Sequence, residues 1–302
     1  MHADTIAIIA PAKINLTLEV LGRRPDGYHE LVSLVAFASD VSDLVTLQPK
    51  EPFGIRVHGP TAGKLEGSNL VGQVVETLRA KWPKLTLGAF DLEKHLPVAA
   101  GIGGGSADAA AAIRAIAAAN AVTDPLAVFG EAVLSLGADI PVCIGAPGER
   151  TPTSAMMRGV GERLWRPSGA QRLIPDHLSV VLVNPGIAVP TGAVFGALGA
   201  GPLAMEATVD ETEGERFAAA TDLLAYTARH GNDLEAPAIG LVAEIATAIK
   251  ALSVLPDCRL ARMSGSGATC FGLFMGHDAA RQAAEKLRHE NPNWWVAASR
   301  LQ

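Results

Sequence analysis

Polarity alternates strictly over residues 13–20: Ile14, Leu16, Leu18 and Val20 share one face, and Lys13, Asn15, Thr17 and Glu19 share the other. A period of two is that of a half-buried β-strand, so a strand is predicted here with its polar side toward solvent. Strand-like runs recur at residues 30–38, 44–47 and 86–92, with a helical pattern over 69–81 set among them. Strands therefore dominate the beginning of the chain.

A helical stretch follows. Residues 106–119 are mostly alanine, with Ile113 and Ile116 three apart, Ser106 placed to cap the start and Asn120 at the end. Alanine has the highest helix propensity, which makes this segment a helix on intrinsic grounds. In the next one Asp124 is the cap and Pro125 the first residue. Leu126, Phe129, Val133 and Leu136 form its apolar stripe, and Gly137 is its left-handed terminal residue. Asp139 is then expected just past a helix end.

The polar, proline-bearing segment 166–175 reads as a domain boundary, and residues 199–214, rich in small and acidic side chains, as an exposed excursion. Beyond them, strand patterns at 178–183, 258–263, 268–274 and 294–298 alternate with helical ones at 235–252 and 277–289. The expectation is a mixed α/β (α+β) protein of two domains, residues 1–165 and 166–302, without an internal repeat. A length of 302 residues agrees, because it exceeds the usual size of one compact core.

Composition narrows the partners. With 49% hydrophobic and 19% charged residues the chain is globular rather than disordered. A net charge of −6 argues against nucleic acid and anionic membranes, both of which call for a basic surface, and leaves small molecules as the expected ligands. Cys143, Cys258 and Cys270 are odd in number, far apart and without C-x-x-C spacing, which speaks against a disulfide framework or zinc site and for a reducing compartment. Pro11 and Lys13 interrupt the only early apolar run, so no signal peptide is read there, and no uninterrupted apolar run reaches bilayer length. A cytoplasmic location is expected.

The clearest chemical signal is LPVAAGIGGGSADAA at residues 96–110, four glycines in five positions directly before the alanine helix. Glycines let backbone N–H groups converge on an anion, and the helix N-terminus adds roughly half a positive charge there, so a phosphate is the natural ligand. The alternative is a flexible loop with glycine chosen for turn geometry. Two familiar nucleotide loops do not fit. The Gly63-Lys64 pair is followed by Leu65 and preceded by His58 where a P-loop needs its first glycine. A dinucleotide loop would need a glycine at Ser106 and a strand leading directly into the loop, which Pro97 and its neighbours interrupt.

Other candidates are weaker taken alone. Lys13 and Asn15, about 7 Å apart along one strand face, could present a cation and an amide to a phosphorylated ligand, although a solvated strand face is the simpler reading. Asp139, in GADIPV, is either a turn or capping aspartate or a functional one. Pro25-Asp26-Gly27 is a turn that brings out Tyr28 and His29, a pair suited either to packing or to stacking on a base. MSGSGAT at 263–269 is a hairpin turn or a backbone lining for a ligand.

PAKINLTL at 11–18, PVAAGIGGGSADAA at 97–110 and SGSGATCF at 264–271 together resemble, in order and separation, the three motifs of the galactokinase, homoserine kinase, mevalonate kinase and phosphomevalonate kinase superfamily. DGYHEL at 26–31 and LGADIPV at 136–142 resemble a branch acting on a cytidine-diphosphate-linked branched sugar alcohol in the non-mevalonate route to isoprenoid precursors. The resemblance covers nearly the whole chain. It implies an N-terminal nucleotide-binding domain, a C-terminal ferredoxin-like domain, and phosphorylation of the alcohol's 2-hydroxyl by ATP as co-substrate, with Mg²⁺ expected alongside the ATP. It implies Asp139 as catalytic base with Lys13 beside it. It implies an ATP phosphate loop made of Pro97, Val98, Ala99, Ala100, Gly101, Ile102, Gly103, Gly104, Gly105, Ser106 and Ala107. Asn15 is implied as an active-site amide, and Tyr28 with His29 as cytosine contacts.

No magnesium ligand is assigned by the resemblance; Ser106 and Asp108 are the candidates, while Asn69 and Lys94 are candidates for the adenine. The rival readings are a kinase of the same superfamily acting on another small alcohol and, from another class, a nicotinamide-dependent oxidoreductase. The oxidoreductase would place an acidic ribose contact near Asp124, a residue already assigned to a helix cap. A non-catalytic nucleotide-binding protein would not need both Lys13 and Asp139.

Overall fold

The computed structural model describes residues 5–64, 69–98, 100–166, 173–204 and 217–302. In chain order the elements begin β1 (Ile6–Asn15), β2 (Glu19–Arg23), β3 (His29–Gln48), β4 (Gly54–His58), α1 (Leu70–Lys81), β5 (Ala89–Glu93), α2 (Gly104–Ala119), α3 (Pro125–Leu134) and α4 (Ile140–Ile144). They continue β6 (Ala155–Gly159), β7 (Arg163–Trp165), β8 (Ser179–Asn184), α5 (Thr191–Leu198), α6 (Ala220–His230), α7 (Glu235–Leu241) and α8 (Glu244–Ser253). The last are β9 (Cys258–Met263), β10 (Cys270–Phe274), α9 (His277–Glu290) and β11 (Trp295–Arg300). Contacts divide the chain into two compact units, one of residues 1–13, 41–98 and 103–153, the other of residues 14–40, 99–102 and 154–302.

In the first unit, β5 pairs antiparallel with the Leu44–Gln48 end of β3 and parallel with β4. Helix α1 starts where the Asn69 carboxamide accepts the N–H of Val71, and it buries Val71, Val74, Val75 and Leu78, the spacing of one helix face. Helix α2 packs against α1, α3 and α4 and is buried over most of its surface, from Ala107 through Ala117 except Arg114. Alanine suits this position twice over: it favours the helix and it lets three neighbours approach closely.

In the second unit, the early part of β3 pairs with β2 and β6, and β6 with β7. A second sheet has the antiparallel order β11-β8-β10-β9. Taking β8 as first strand, this is the order 4-1-3-2 with helices in both crossovers, the ferredoxin-like arrangement expected of the C-terminal part. Its core unites Val181 and Val183 of β8, Phe274 of β10, Ile245 and Leu252 of α8 and Leu287 of α9. Burying each such side chain contributes about 1.5–3 kcal/mol.

Several local expectations are corrected. The 13–20 segment is two strands, β1 and β2, interrupted after Asn15, and Lys13, Asn15 and Thr17 are buried rather than solvated. Neighbouring elements cover both faces, which alternation alone does not distinguish from one wet face. Helix α2 begins at Gly104 behind a left-handed Gly103, so Ser106 lies in the first turn and is not the cap. Residues 30–38 and 44–47 belong to one 20-residue strand. The predicted 235–252 helix is two helices broken at an extended Val242. Gly137 is not left-handed; α3 ends at Ser135 in right-handed geometry. The acidic stretch 206–215 lies outside the described residues, whereas Cys143, Cys258 and Cys270 are free thiols.

Candidate active site

In the first unit, Lys13 near the end of β1 is buried, and its ammonium lies 2.8 Å from Oδ2 of Asp139. Asp139 sits at the start of α4, but its side chain accepts no capping bond from that helix. The capping reading of this aspartate is therefore excluded: the carboxylate turns to Lys13 instead. It remains 29% exposed, whereas the lysine side chain is almost wholly enclosed. A buried cation fixed beside a part-exposed carboxylate is the arrangement a proton acceptor needs if it is to reach a ligand.

Gly103 closes on the same pair. Its φ is +62°, and a Cβ built on it would stand 3.2 Å from Cβ and Cε of Lys13 and 3.8 Å from Oδ2 of Asp139. Glycine is thus required both for the left-handed turn and for the close approach of backbone to lysine. Gly104 and Gly105 follow as the first residues of α2, so the free N–H groups of that helix start open beside the Lys13–Asp139 pair. The Ser106 hydroxyl lies 3.4 Å from a Cβ position on Gly137, two residues before Asp139.

The second unit holds the other end of the glycine loop. Gly101 has φ +73°, and its Cβ position falls 2.5 Å from the carbonyl oxygen of Gly267, so only glycine fits. Ser264 donates to the Gly101 carbonyl at 3.1 Å and accepts the Asn15 N–H at 3.1 Å. The Asn15 carboxamide donates to the Ser33 hydroxyl at 2.7 Å, and Ser33 donates to the Thr17 carbonyl at 2.6 Å. The 263–269 turn thus joins β9 to β10 as a hairpin and lies against residues 100–101. Asn232 braces it by donating to the carbonyls of Met263 and Gly265, both at 2.9 Å, and Glu235 accepts the Met263 N–H at 2.8 Å. Pro97 and Val98 are half-buried, and Ala99 lies outside the described residues.

The Pro25-Asp26-Gly27 turn forms as expected, with Gly27 at φ +90° and the Tyr28 N–H donating to Asp26 at 3.1 Å. Tyr28 is 57% exposed. His29 stacks on Phe195 of α5, ring centroids 4.6 Å apart and planes 23° from parallel. Burial, helped by the nearby Arg23 charge, lowers the His29 pKa and so favours the neutral ring, the form that can both donate and accept a hydrogen bond. Beside this turn a cavity of about 480 Å³ is lined by Arg23, Arg24, Pro25, Gly27, Ala200, Pro202 and Leu203.

Sequence reading did not anticipate Ser33, Phe195, Asn232 or Glu235. Only Gly231-Asn232 carried a local sign, as a turn before a helix, and that sign concerns the Asn232 oxygen, which accepts the Leu234 N–H. Of the adenine candidates, Asn69 caps α1 and Lys94 is buried among carboxylates. Asp108, considered for magnesium, is buried with Oδ2 held by Lys94. Among the described residues no group of three or more His, Cys, Asp or Glu side chains could hold a metal, and no helix is long and apolar enough to cross a membrane.

Residues 69–145 match the GHMP kinases N terminal domain and residues 210–293 the GHMP kinases C terminal family. A 4-diphosphocytidyl-2-C-methyl-D-erythritol kinase of Methylobacterium radiotolerans is 48% identical over 295 residues, 97% of each chain. Its counterpart in Cereibacter sphaeroides is 49% identical over 294 residues, 97% of this chain and 98% of that one. A crystal structure of 4-(cytidine 5'-diphospho)-2C-methyl-D-erythritol kinase superposes with a TM-score of 0.67 at 32% identity, over 98% of this chain and 99% of that one. A homoserine kinase from Cytophaga hutchinsonii, 16% identical, shares the fold at a TM-score of 0.64 over 98% of this chain and 94% of its own. With the glycine loop, the Lys13–Asp139 pair and the ferredoxin-like sheet all in place, the chain belongs to the 4-diphosphocytidyl-2-C-methyl-D-erythritol kinase family of GHMP kinases.

Proposed function

We infer that the chain transfers the γ-phosphoryl group of ATP to the 2-hydroxyl of 4-diphosphocytidyl-2-C-methyl-D-erythritol, a step of the non-mevalonate route to isoprenoid precursors. The observation that carries the chemistry is the Lys13–Asp139 pair at 2.8 Å beside Gly103. Phosphoryl transfer asks little covalent work of a protein; it needs alignment of the hydroxyl and donors for charge on the phosphoryl oxygens. Asp139 accepts the proton of the 2-hydroxyl as that oxygen bonds to the γ-phosphorus and the bond to ADP breaks. Lys13 orients Asp139 and steadies charge on the transferring group.

Residues 97–107 serve as the phosphate loop, the N–H groups at the start of α2 being the donors that support this assignment. Mg²⁺ comes with the nucleotide. The Ser106 hydroxyl, in the first turn of α2, would be the protein's donor to that ion, with phosphate and water oxygens supplying the rest. When bound, the ion offsets phosphate charge.

Tyr28 and His29 hold the cytosine, His29 by hydrogen bonding and Tyr28 by offering an exposed ring to a base; Asn15 is a substrate-side amide. Arg23, on the cavity beside that turn, suits the diphosphate. A boundary near residues 165 and 166 fits these roles, since the two family matches fall on either side of it. Three free thiols support a cytoplasmic setting.

The test is ADP release with ATP and Mg²⁺, offering in parallel the cytidine-diphosphate alcohol, mevalonate, homoserine and galactose. Turnover with the first alone is expected. Turnover with another alcohol instead would keep the phosphotransfer and discard the cytosine role of Tyr28 and His29.

A further inference from the structure

Beneath the start of α2 lies a buried cluster that the reaction as described does not use. Lys94 follows directly after β5, and its ammonium pairs with Oδ2 of Asp43 on β3 and, at 2.5 Å, with Oδ2 of Asp108 on α2. All three side chains are at least nine-tenths buried.

Each carboxylate grips a different side of the glycine loop. Through Oδ1, Asp43 accepts the N–H groups of His95 at 2.5 Å and Leu96 at 2.8 Å, the last two residues before Pro97. Asp108 belongs to the second turn of α2, which begins where the loop ends. Lys94 joins the two, its ammonium 3.8 Å from a Cβ position on Gly104. One lysine thus ties residues 94–96, just before Pro97, to the start of α2, just after Gly103. Local backbone needs would not require a buried ammonium here, and a buried charge is costly unless it is paired.

The pairing is unequal. Asp43 spends both oxygens on donors, whereas Oδ1 of Asp108, fully enclosed, has no hydrogen-bond partner among the described residues. Two carboxylates thus share one ammonium in a buried site, and both depend on Lys94. Burial, opposed by Lys94 and reinforced by Asp43, raises the Asp108 pKa.

We propose that Asp43, Lys94 and Asp108 form a positioning cluster that sets the spacing between the two ends of the phosphate loop and so the affinity for nucleotide. This rests on the kinase reading above, because the loop matters only if it holds ATP. The three act through the loop backbone and touch no reacting atom.

Calorimetric binding of ATP with Mg²⁺ and, separately, of cytidine diphosphate tests it in the full-length protein, so that the result does not depend on turnover. Lys94→Met and Asp108→Leu are expected to weaken ATP binding about tenfold or more while cytidine diphosphate binding stays within about twofold, and Asp108→Asn to stay within about threefold of wild type for both. Asp108→Asn keeps the shape of the side chain and an oxygen for Lys94, so its recovery separates the cluster's role from simple loss of packing. Unchanged ATP affinity in Asp108→Leu, or equal losses for both ligands, would overturn the proposal. Should Lys94→Met fail to fold, the contrast between the leucine and asparagine variants at position 108 decides alone. A wild type that binds ATP yet phosphorylates none of the four alcohols would defeat the functional reading without touching this one.

Discussion

The Lys13 ammonium lies 2.8 Å from Oδ2 of Asp139, yet the two residues reach that contact from opposite conditions of burial: the lysine is enclosed and the aspartate is 29% exposed. The lysine therefore cannot leave for solvent, and the carboxylate can meet a ligand without losing its partner. Replacing Lys13 by Met, which fills the same space without charge, is expected to lower kcat about a hundredfold or more with a smaller change in either KM, the pattern of an interaction made chiefly in the transition state. Steady-state kinetics on both substrates reads this directly.

Gly103 offers a second handle on the same pair. Alanine there must hold φ +62°, at about 1–2 kcal/mol, and push against Lys13 from 3.2 Å. Gly103→Ala should cut kcat/KM for ATP roughly ten- to a hundredfold, since each 1.36 kcal/mol is tenfold in rate. Gly105 is exposed and its Cβ position meets only Leu70 at 4.0 Å, so Gly105→Ala is expected to be far milder. A side-by-side kinetic comparison of the two variants checks the ordering.

At the base-binding end, His29 is held in place by its stack on Phe195. Removing the imidazole with His29→Ala should raise KM for the cytidine-linked alcohol about five- to a hundredfold, the range that a base contact of about 1–3 kcal/mol implies, and leave KM for ATP unchanged. Phe195→Ala should reproduce part of the effect by freeing the His29 ring. Measuring both KM values for both variants distinguishes a base contact from general damage.

Asp108 predicts a pH dependence of stability. Its folded pKa is raised above that of the unfolded chain, so folding favours the protonated form. That contribution is fully present below the ordinary carboxylate range and is lost as pH rises through that range toward the raised folded value. Asp108→Asn has no such loss. The Tm of the variant relative to wild type should therefore increase from pH 4 to pH 8, and thermal scans across that range would show it; a difference that shrinks with pH would be the opposite sign.

What the sequence disclosed depended on whether the signal was local. The 69–81 helix and the strand over 258–263 could be read because apolar spacing is written in neighbouring residues, whereas the cap that Asn69 supplies was not read. The glycine loop was legible for the same reason, but its cap was misplaced, because Ser106 has the better capping side chain and only the left-handed turn at Gly103 starts the helix earlier. Alternation over 13–20 identified extended chain and misjudged its environment: polar residues at a period of two look alike whether water or a buried network receives them. Asp43, Lys94 and Asp108 are 51 and 14 positions apart and meet only through strand pairing and helix packing. No spacing rule would have joined them. The break at Val242 follows Gly240, but one glycine inside an apolar helical pattern is not by itself a stop signal.

The most direct measurement is single-turnover phosphoryl transfer by Asp139→Asn, with ATP, Mg²⁺ and 4-diphosphocytidyl-2-C-methyl-D-erythritol prebound, against wild type. Asparagine keeps the shape of the side chain but cannot take the hydroxyl proton. Transfer is expected to slow about 10²- to 10⁴-fold, the usual worth of a general base, while binding of both substrates stays near wild type. Transfer at a rate close to wild type would contradict the assignment of Asp139 as proton acceptor, and with it the account of the site.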